Sequence, residues 1–263
     1  MNYFKKIKYK ILIIPFIKRS FLYYQNIIKQ NPGIFKKISL HKYFSNEFKK
    51  YQKINNNKNF TLSKEYLKLC LFDKTDNTPL DPLYILQDSW CAKKIFENRP
   101  KHHYDIGSSV EMVGIISQFV PTTMIDIRPI DLELNNLYFK KGNILNLPFE
   151  NNSLESISSI CVIEHIGLGR YGDKLDPFGS EKAIKEIKRV LAPEGNLYIS
   201  LPIDNENKVY FNAHRAFTRE YILKLFQSLK LIEEKYLYKN GNKLINNYDQ
   251  SEGFGTGFFH FKK

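Results

Sequence analysis

The chain has 263 residues, a hydrophobic content of 43% and three cysteines. This length can hold one α/β domain with an extension, and the apolar fraction is sufficient for a buried core. Cys70, Cys91 and Cys161 lack the spacing of metal ligands, and their odd number excludes a complete disulfide framework. We therefore expect a reducing, cytoplasmic setting and assign no metal ligands.

The net charge of +13 belongs to the N-terminal part of the chain. Residues 1–60 contain 14 Lys and Arg against one acid, Glu47, whereas the rest of the chain has 26 residues of each sign. The apolar run 11–17 is shorter than the ~20 residues that cross a bilayer, and it lacks the small-residue cleavage site of a secretory signal. Two interpretations stay open: a packed, Lys-rich helical lead-in, or a peripheral contact with an anionic inner membrane surface. Nucleic acid is a weaker third option, because no recognition motif accompanies the charge.

The sequence divides into three parts by composition. Residues 1–60 form a basic, aromatic-rich extension that ends in the polar run 55–59, a predicted linker. Residues 61–100 form a helical lead-in, with helices predicted at 62–72 and 83–96 and a turn-rich segment between them. Residues 101–263 have the pattern of an α/β domain.

In this last part, predicted strands alternate with predicted helices. Strands are expected at 104–106, 123–127, 138–141, 157–163, 197–201, 232–237 and 257–261, and helices at 110–120, 183–191 and from the N-cap Thr218 onward. The alternation predicts a doubly wound, mostly parallel, seven-stranded sheet.

Polar residues follow the fourth predicted strand. Glu164-His165 comes directly after it, and a Gly-rich loop with Arg170, Asp173 and Asp176 leads into the next helix. Strand, loop, helix and strand form a right-handed crossover unit, and ligands bind beyond the carboxyl ends of such strands. These residues are therefore site candidates.

The first two strands end in residues suited to a nucleoside. Gly107 stands where the backbone turns sharply from strand to helix, and Asp126 ends the second strand about 20 residues later. The spacing G-x-G-x-x-G is absent, which argues against a pyrophosphate cofactor such as NAD or FAD. A carboxylate at this place can accept hydrogen bonds from both hydroxyls of a ribose. The alternative for Asp126 is a capping or turn role before Pro129.

Five segments together resemble class I S-adenosylmethionine-dependent methyltransferases: YDIGSS (104–109), MIDIR (124–128), GNILNLPF (142–149), VIEH (162–165) and EIKRVLAPEG (186–195). The resemblance covers about residues 100–263. More narrowly, EHIGLGRYGD (164–173), Asp176-Pro177 and FNAHR (211–215) resemble an uncharacterised methyltransferase-like family encountered in surface-polysaccharide contexts. The resemblance implies a Rossmann-like methyltransferase fold and S-adenosylmethionine as cofactor.

The resemblance also implies which residues hold that cofactor. The first loop would receive the methionine end, Asp126 the ribose, Ile127 the adenine ring and Asn143 the adenine amino group. The implied binding residues are Asp105, Gly107, Ser108, Ser109, Asp126, Ile127, Asn143, Ile144 and Cys161. This sequence departs from the pattern twice: one of the usual loop glycines is present, and Asn143 stands where aspartate is common. An asparagine oxygen can still accept from the amine.

For catalysis, a sulfonium methyl is already activated, so the protein must align the acceptor and remove its proton. Histidine is suited to this because its pKa lies near the working pH. The catalytic candidates, expected on one rim, are His165, His214 and Asp173. Asp173 or Asp176 could orient a histidine, hold acceptor hydroxyls or bind a divalent ion. Arg170 and Arg215 could pair with phosphates. Packing for the histidines and loop stabilisation for the aspartates are the structural alternatives.

These observations lead to the hypothesis of an O-methyltransferase that acts on a sugar or surface-glycan precursor. Two other functions stay open: a non-catalytic methyltransferase-like scaffold in polysaccharide biosynthesis, and a transferase that holds a nucleotide-sugar in the same sheet.

Overall fold

The computed structural model describes residues 33–239 and 241–263, and the chain divides into two compact units between Pro79 and Leu80. The apolar run 11–17 lies outside the described residues. In the first unit, helix α1 spans Ile34–Ile54. Within the described ranges, no helix combines the length and the apolar character needed to cross a membrane.

The helix predicted at 62–72 is wrong. The structure has a single 3₁₀ turn there, Lys64–Tyr66, in which Ser63 Oγ accepts the Glu65 N–H at 3.3 Å. Leu69 and Phe72 in this segment are exposed. A helix of this length is marginal in water unless it buries an apolar face, so the segment stays extended.

The second unit is built on one large sheet. Its strands are β1 (His103–Ile106), β2 (Thr122–Asp126), β3 (Leu137–Lys141), β4 (Leu154–Ile160), β5 (Leu191–Ile203), β8 (Lys230–Tyr238) and β9 (Gly255–Lys262), while β6 (Lys208–Tyr210) and β7 (His214–Ala216) form a separate hairpin. Among the described residues, the sheet has seven strands in the order β3-β2-β1-β4-β5-β9-β8. Strand β9 runs antiparallel between β5 and β8, and the other pairs are parallel. The predicted mostly parallel seven-stranded sheet is confirmed.

Helices cover both faces of this sheet: α2 (Pro82–Asn98), α3 (Val110–Ile116), α4 (Gly179–Val190) and α5 (Arg219–Leu225). Side chains along β5 alternate between two apolar clusters. Leu197 and Ile199 pack in the cluster that contains α4 and α5, and Tyr198 packs with Trp90 of α2 in the other. The strand period of two thus divides the core into two layers.

The order of the strands creates the crevice. From β1 the chain winds outward through β2 to β3, and then returns to place β4 on the other side of β1. Such a switch in winding direction leaves an opening beyond the carboxyl ends of β1 and β4. Strand β4 ends at Ile160, earlier than predicted, because Cys161 turns into the left-handed region (φ 52°) and a 3₁₀ turn, Ile163–His165, follows.

Candidate active site

A cavity of 420 Å³ lies beyond the carboxyl ends of these strands. Its floor comes from the ends of β1, β2 and β4, one side from residues 142–145, and its cover from the loop between β4 and α4. We call residues 166–178 of that loop the roof loop. The cavity therefore occupies the position that the switch in winding direction predicts for a ligand.

Gly107 forms the cavity wall at the end of β1. Its φ of +72° lies in the left-handed region, and a Cβ atom there would lie 3.1 Å from Val162 Cγ1. Any larger residue would be strained and would project into the floor of the cavity.

Asp105 supports this turn from behind. Its buried carboxylate accepts hydrogen bonds from the Ser108 N–H (2.9 Å) and from the Ser158 hydroxyl, and burial raises its pKa to about 6. Ser158 also contacts His103 Nε2 at 2.9 Å. Burial lowers the pKa of His103 to about 3, so this histidine is neutral at physiological pH. The group holds the loop in shape.

The two serines of the loop are also committed to its structure. Ser108 Oγ accepts the Ile160 N–H (2.9 Å), and Ser109 Oγ accepts the Met112 N–H (3.1 Å) as the N-cap of α3. Gly107 lines the cavity, whereas Asp105, Ser108 and Ser109 lie behind it. The side chains of Asp105, Ser108 and Ser109 thus shape the loop, and the cofactor contact expected for these residues stays a prediction.

Asp126 lies at the cavity edge at the end of β2. Its carboxylate is 10% exposed; Oδ1 accepts the Arg128 N–H at 2.8 Å and Nε–H at 3.3 Å, and Oδ2 accepts from Arg128 Nη2 at 3.4 Å. The turn role considered from sequence is therefore present. Because a carboxylate has about four acceptor positions, these bonds leave room for further donors.

An apolar slot adjoins this carboxylate, formed by Ile127, Ile144 and Leu145. Asn143 lies at the slot, and its Oδ1 accepts the Leu145 N–H at 2.9 Å. This bond uses one lone pair of Oδ1, so the other lone pair and the Nδ2 group are available for hydrogen bonds. Asn143 can thus donate as well as accept, which the sequence reasoning had not considered.

Cys161 lines the cavity at the end of β4. Its Sγ lies 3.2 Å from Gln87 Oε1 of α2 and 3.2 Å from Ser200 Oγ. Burial raises the pKa of this thiol well above its usual value, so Cys161 lines the cavity with an uncharged side chain.

His165 reaches the cavity from the 3₁₀ turn after β4. Its Nδ1 lies 2.6 Å from the Ala213 carbonyl oxygen and 3.3 Å from Arg170 Nη1; because a carbonyl oxygen can only accept, the shorter contact places the proton on Nδ1. Nε2 is then the basic nitrogen, 3.7 Å from the Glu164 carboxyl group. Burial lowers the pKa of His165, so the unprotonated form is present at neutral pH.

The structure places His214 away from the predicted rim. Its ring packs against Tyr210 (centroids 5.1 Å apart) and Phe254 (5.6 Å), outside the residues that line the cavity. His214 begins strand β7 of the hairpin β6–β7, which was not predicted from the sequence, and pairs there with Tyr210. Its neighbour Ala213 reaches the site instead, through the carbonyl group that fixes His165.

Asp173 lines the cavity but is committed to the roof loop. Its carboxylate accepts the N–H groups of Gly167 (2.7 Å), Tyr171 (3.2 Å) and Gly169 (3.3 Å). Partial burial acts to raise its pKa, but these bonds outweigh it and the pKa is lowered. It is therefore a loop-forming residue and a poor base. No group of three or more metal-ligating side chains occurs in the described ranges.

Arg215 also holds the roof loop, contrary to the expectation of a phosphate contact. It is 7% exposed. One guanidinium nitrogen donates to the Ile166 carbonyl (2.6 Å) and Ser180 Oγ (3.2 Å), and the other to the carbonyls of Asp176 (3.0 Å) and Pro177 (3.3 Å). The Asp176 carboxylate is in turn bound to Lys182 at 2.6 Å.

Tyr171 is the aromatic residue of the cover. The guanidinium groups of Arg128 and Arg170 each lie 5.2 Å from its ring centroid. It is 44% exposed. The contact with Arg128 connects the roof loop to the end of β2.

Comparison with known proteins agrees with the architecture. Residues 127–244 match the family model described as "Caenorhabditis protein of unknown function, DUF268". The N-methyltransferase NodS from Bradyrhizobium japonicum WM9 is similar in structure, with a TM-score of 0.51 and 13% identity over 70% of this chain and 97% of NodS. The chain has the class I methyltransferase fold.

The [4+2]-cyclase SpnF is similar as well, with a TM-score of 0.50 and 11% identity over 67% of this chain and 79% of SpnF. No curated protein matches the chain. A cyclase on this fold shows that the fold alone does not determine the reaction, so function must be argued from the cavity.

Proposed function

We propose that this protein is an S-adenosylmethionine-dependent methyltransferase. The observation that carries the proposal is the cavity at the switch between β1 and β4, which combines the Asp126 carboxylate with the apolar slot of Ile127 and Ile144. A carboxylate beside an apolar slot suits the ribose and base of a nucleoside.

The residues that line the cavity suit the nucleoside part of the cofactor. Asp126 would accept the ribose hydroxyls, Ile127 and Ile144 would enclose the adenine, and Asn143 would bind its polar edge. Gly107 would let the rest of the molecule pass close to the backbone. When bound, S-adenosylmethionine supplies an electrophilic methyl group on a sulfonium.

His165 would take the proton of the acceptor. Its Nδ1–H is fixed by Ala213, so Nε2, which lies 3.7 Å from the Glu164 carboxyl group, would be the accepting nitrogen of the unprotonated imidazole at neutral pH. This role suits a hydroxyl acceptor, whose proton must leave during transfer.

The acceptor that we propose is a sugar or surface-glycan precursor. The support is the exposed ring of Tyr171 beside His165, with ring centroids 5.8 Å apart. An aromatic face can pack against the apolar face of a sugar ring. The nucleotide-sugar alternative loses support, because Arg215 is occupied by the roof loop.

Titration calorimetry with S-adenosylmethionine and S-adenosylhomocysteine tests the proposal. We expect both to bind, Asp126→Ala to weaken binding at least tenfold, and the exposed control Asp131→Ala to bind like the parent. Absence of binding at millimolar concentration would refute the function. Binding without turnover on any glycan acceptor would instead favour the non-catalytic scaffold.

A further inference from the structure

Three positive side chains lie at the cavity. Arg128 and Lys174 line it, and Arg170 Nη1 lies 3.3 Å from Nδ1 of His165, which lines it as well. All three cations are exposed. We call Arg170 and Lys174, which both belong to the roof loop, the roof-loop cations. The sequence analysis did not single out Lys174, and its place in the same Gly-rich loop as Arg170 was the signal that could have identified it.

The carboxylates at the cavity do not neutralise the roof-loop cations. Asp126 forms its salt bridge with Arg128, and Asp173 accepts three backbone N–H groups. Within the described ranges, neither Arg170 nor Lys174 forms a salt bridge. The roof loop therefore brings two unbalanced positive charges to the cavity.

The guanidinium group of Arg170 is held in place but keeps donors for a ligand. Nη1 donates to the Ala213 carbonyl oxygen at 3.2 Å, and the group lies 5.2 Å from the Tyr171 ring centroid. Nε and Nη2 have no hydrogen-bond partner among the residues that the structure describes. These two nitrogens lie on one edge of the guanidinium plane, so they can present parallel N–H donors to two oxygens of a phosphate or a carboxylate.

The acceptor must approach the cavity beside this edge. With the nucleoside at Asp126 and the apolar slot, the acceptor hydroxyl has to reach His165, which lies beside Arg170 and Tyr171. A sugar that packs on Tyr171 with one hydroxyl at His165 would bring its other substituents close to Arg170. A neutral sugar leaves both roof-loop cations without a partner, whereas a negative substituent is attracted to them.

We propose that the acceptor is an acidic sugar whose phosphate or carboxylate group binds Arg170, with Lys174 adding to the attraction. The inference rests on the proposed function and narrows its acceptor from a sugar to a negatively charged sugar. Of the two arginines expected to pair with phosphates, Arg215 is committed to the backbone of the roof loop, and Arg170 remains available.

Three sugars that differ in charge test this subsite. Calorimetry would titrate glucose 1-phosphate, glucuronate and glucose into the protein saturated with S-adenosylhomocysteine. The proteins are the parent, Arg170→Gln, Lys174→Gln and the control Lys185→Gln. Lys185 is an exposed lysine of α4 that forms no salt bridge within the described ranges, so its variant controls for a general change in charge.

We expect at least one acidic sugar to bind the parent about tenfold or more tightly than glucose, and the tighter of the two identifies the group as phosphate or carboxylate. Arg170→Gln should weaken that sugar about tenfold, as for the loss of a bidentate charged contact. Lys174→Gln should weaken it about threefold, and Lys185→Gln should leave it within about 1.5-fold. Raising the salt concentration from about 0.05 M to about 0.5 M should weaken the acidic sugar more than glucose.

The affinity of Arg170→Gln for S-adenosylhomocysteine should stay within about twofold of the parent. A variant that loses this nucleoside as well would show that Arg170 acts through the shape of the roof loop, which overturns the proposal. Equal affinity for all three sugars, no binding of any of them, or an acidic sugar that Arg170→Gln binds like the parent would also overturn it. A parent protein that does not bind S-adenosylhomocysteine would refute the proposed function itself, and this outcome is distinct from the others.

Discussion

Arg215 allows a prediction whose size follows from its contacts. Replacing it by methionine keeps most of the aliphatic stem but removes the guanidinium, which donates to the carbonyls of Ile166, Asp176 and Pro177 and to Ser180 Oγ. A buried oxygen left without its donor costs about 1–3 kcal/mol, and such costs are not additive. Because the roof loop can recover some donors from water, we expect a loss of about 3 kcal/mol in the free energy of unfolding.

For a unit of this size, about 3 kcal/mol corresponds to a fall in Tm of roughly 6–12 °C. Differential scanning calorimetry would measure it, with Arg170→Met as the matched control. Arg170 is exposed and donates to one carbonyl, that of Ala213 at 3.2 Å, so its variant should melt within about 3 °C of the parent. Limited proteolysis within 166–178 should accelerate for Arg215→Met. An Arg215→Met protein that melts with the parent, or two variants that are equally damaged, would refute the reasoning.

Three further predictions concern Gly107, Glu164 and the basic N-terminal extension. Gly107→Ala should abolish nucleoside binding measured by calorimetry while the far-UV circular dichroism is kept, because its Cβ would meet Val162 and its φ would be strained; normal affinity would contradict this. Glu164→Gln should have the same urea midpoint as the parent near pH 5 and a higher midpoint near pH 9. Burial raises the pKa of Glu164 in the folded protein to about 8 from an ordinary 4.5, so the parent loses stability as the pH rises through this window. Parallel pH profiles of the two proteins would exclude the buried acid. Removal of residues 1–60 should leave the α/β unit folded but reduce co-sedimentation with anionic vesicles, whereas equal partitioning would exclude a membrane-surface role for this basic segment.

Periodicity was enough to predict the sheet, because buried parallel strands and amphipathic helices have distinct apolar patterns. Thr218 caps α5 as expected, with its side chain accepting the Tyr221 N–H. The hairpin β6–β7 escaped prediction because its strands, Lys208–Tyr210 and His214–Ala216, are too short to show alternation. The helix predicted at 62–72 was wrong because an apolar pattern was present but no core covers it: Leu69 and Phe72 remain exposed.

The sequence was enough to predict those site residues whose place is set by their position at the end of a strand. Gly107, Asp126 and His165 follow strand ends, and strand ends meet at one edge of a parallel sheet. The roles of Asp173 and Arg215 could not be assigned from sequence. Both side chains are hydrogen-bonded to backbone groups of the roof loop that become their neighbours only after folding.

The most direct test of the central claim is a crystal structure of the protein with S-adenosylhomocysteine. We expect the ribose hydroxyls within about 2.5–3.0 Å of the Asp126 carboxylate, the adenine between Ile127 and Ile144, and the sulfur turned toward His165. Density for the nucleoside at another place, or an Asp126 side chain turned away from an empty cavity, would contradict the account.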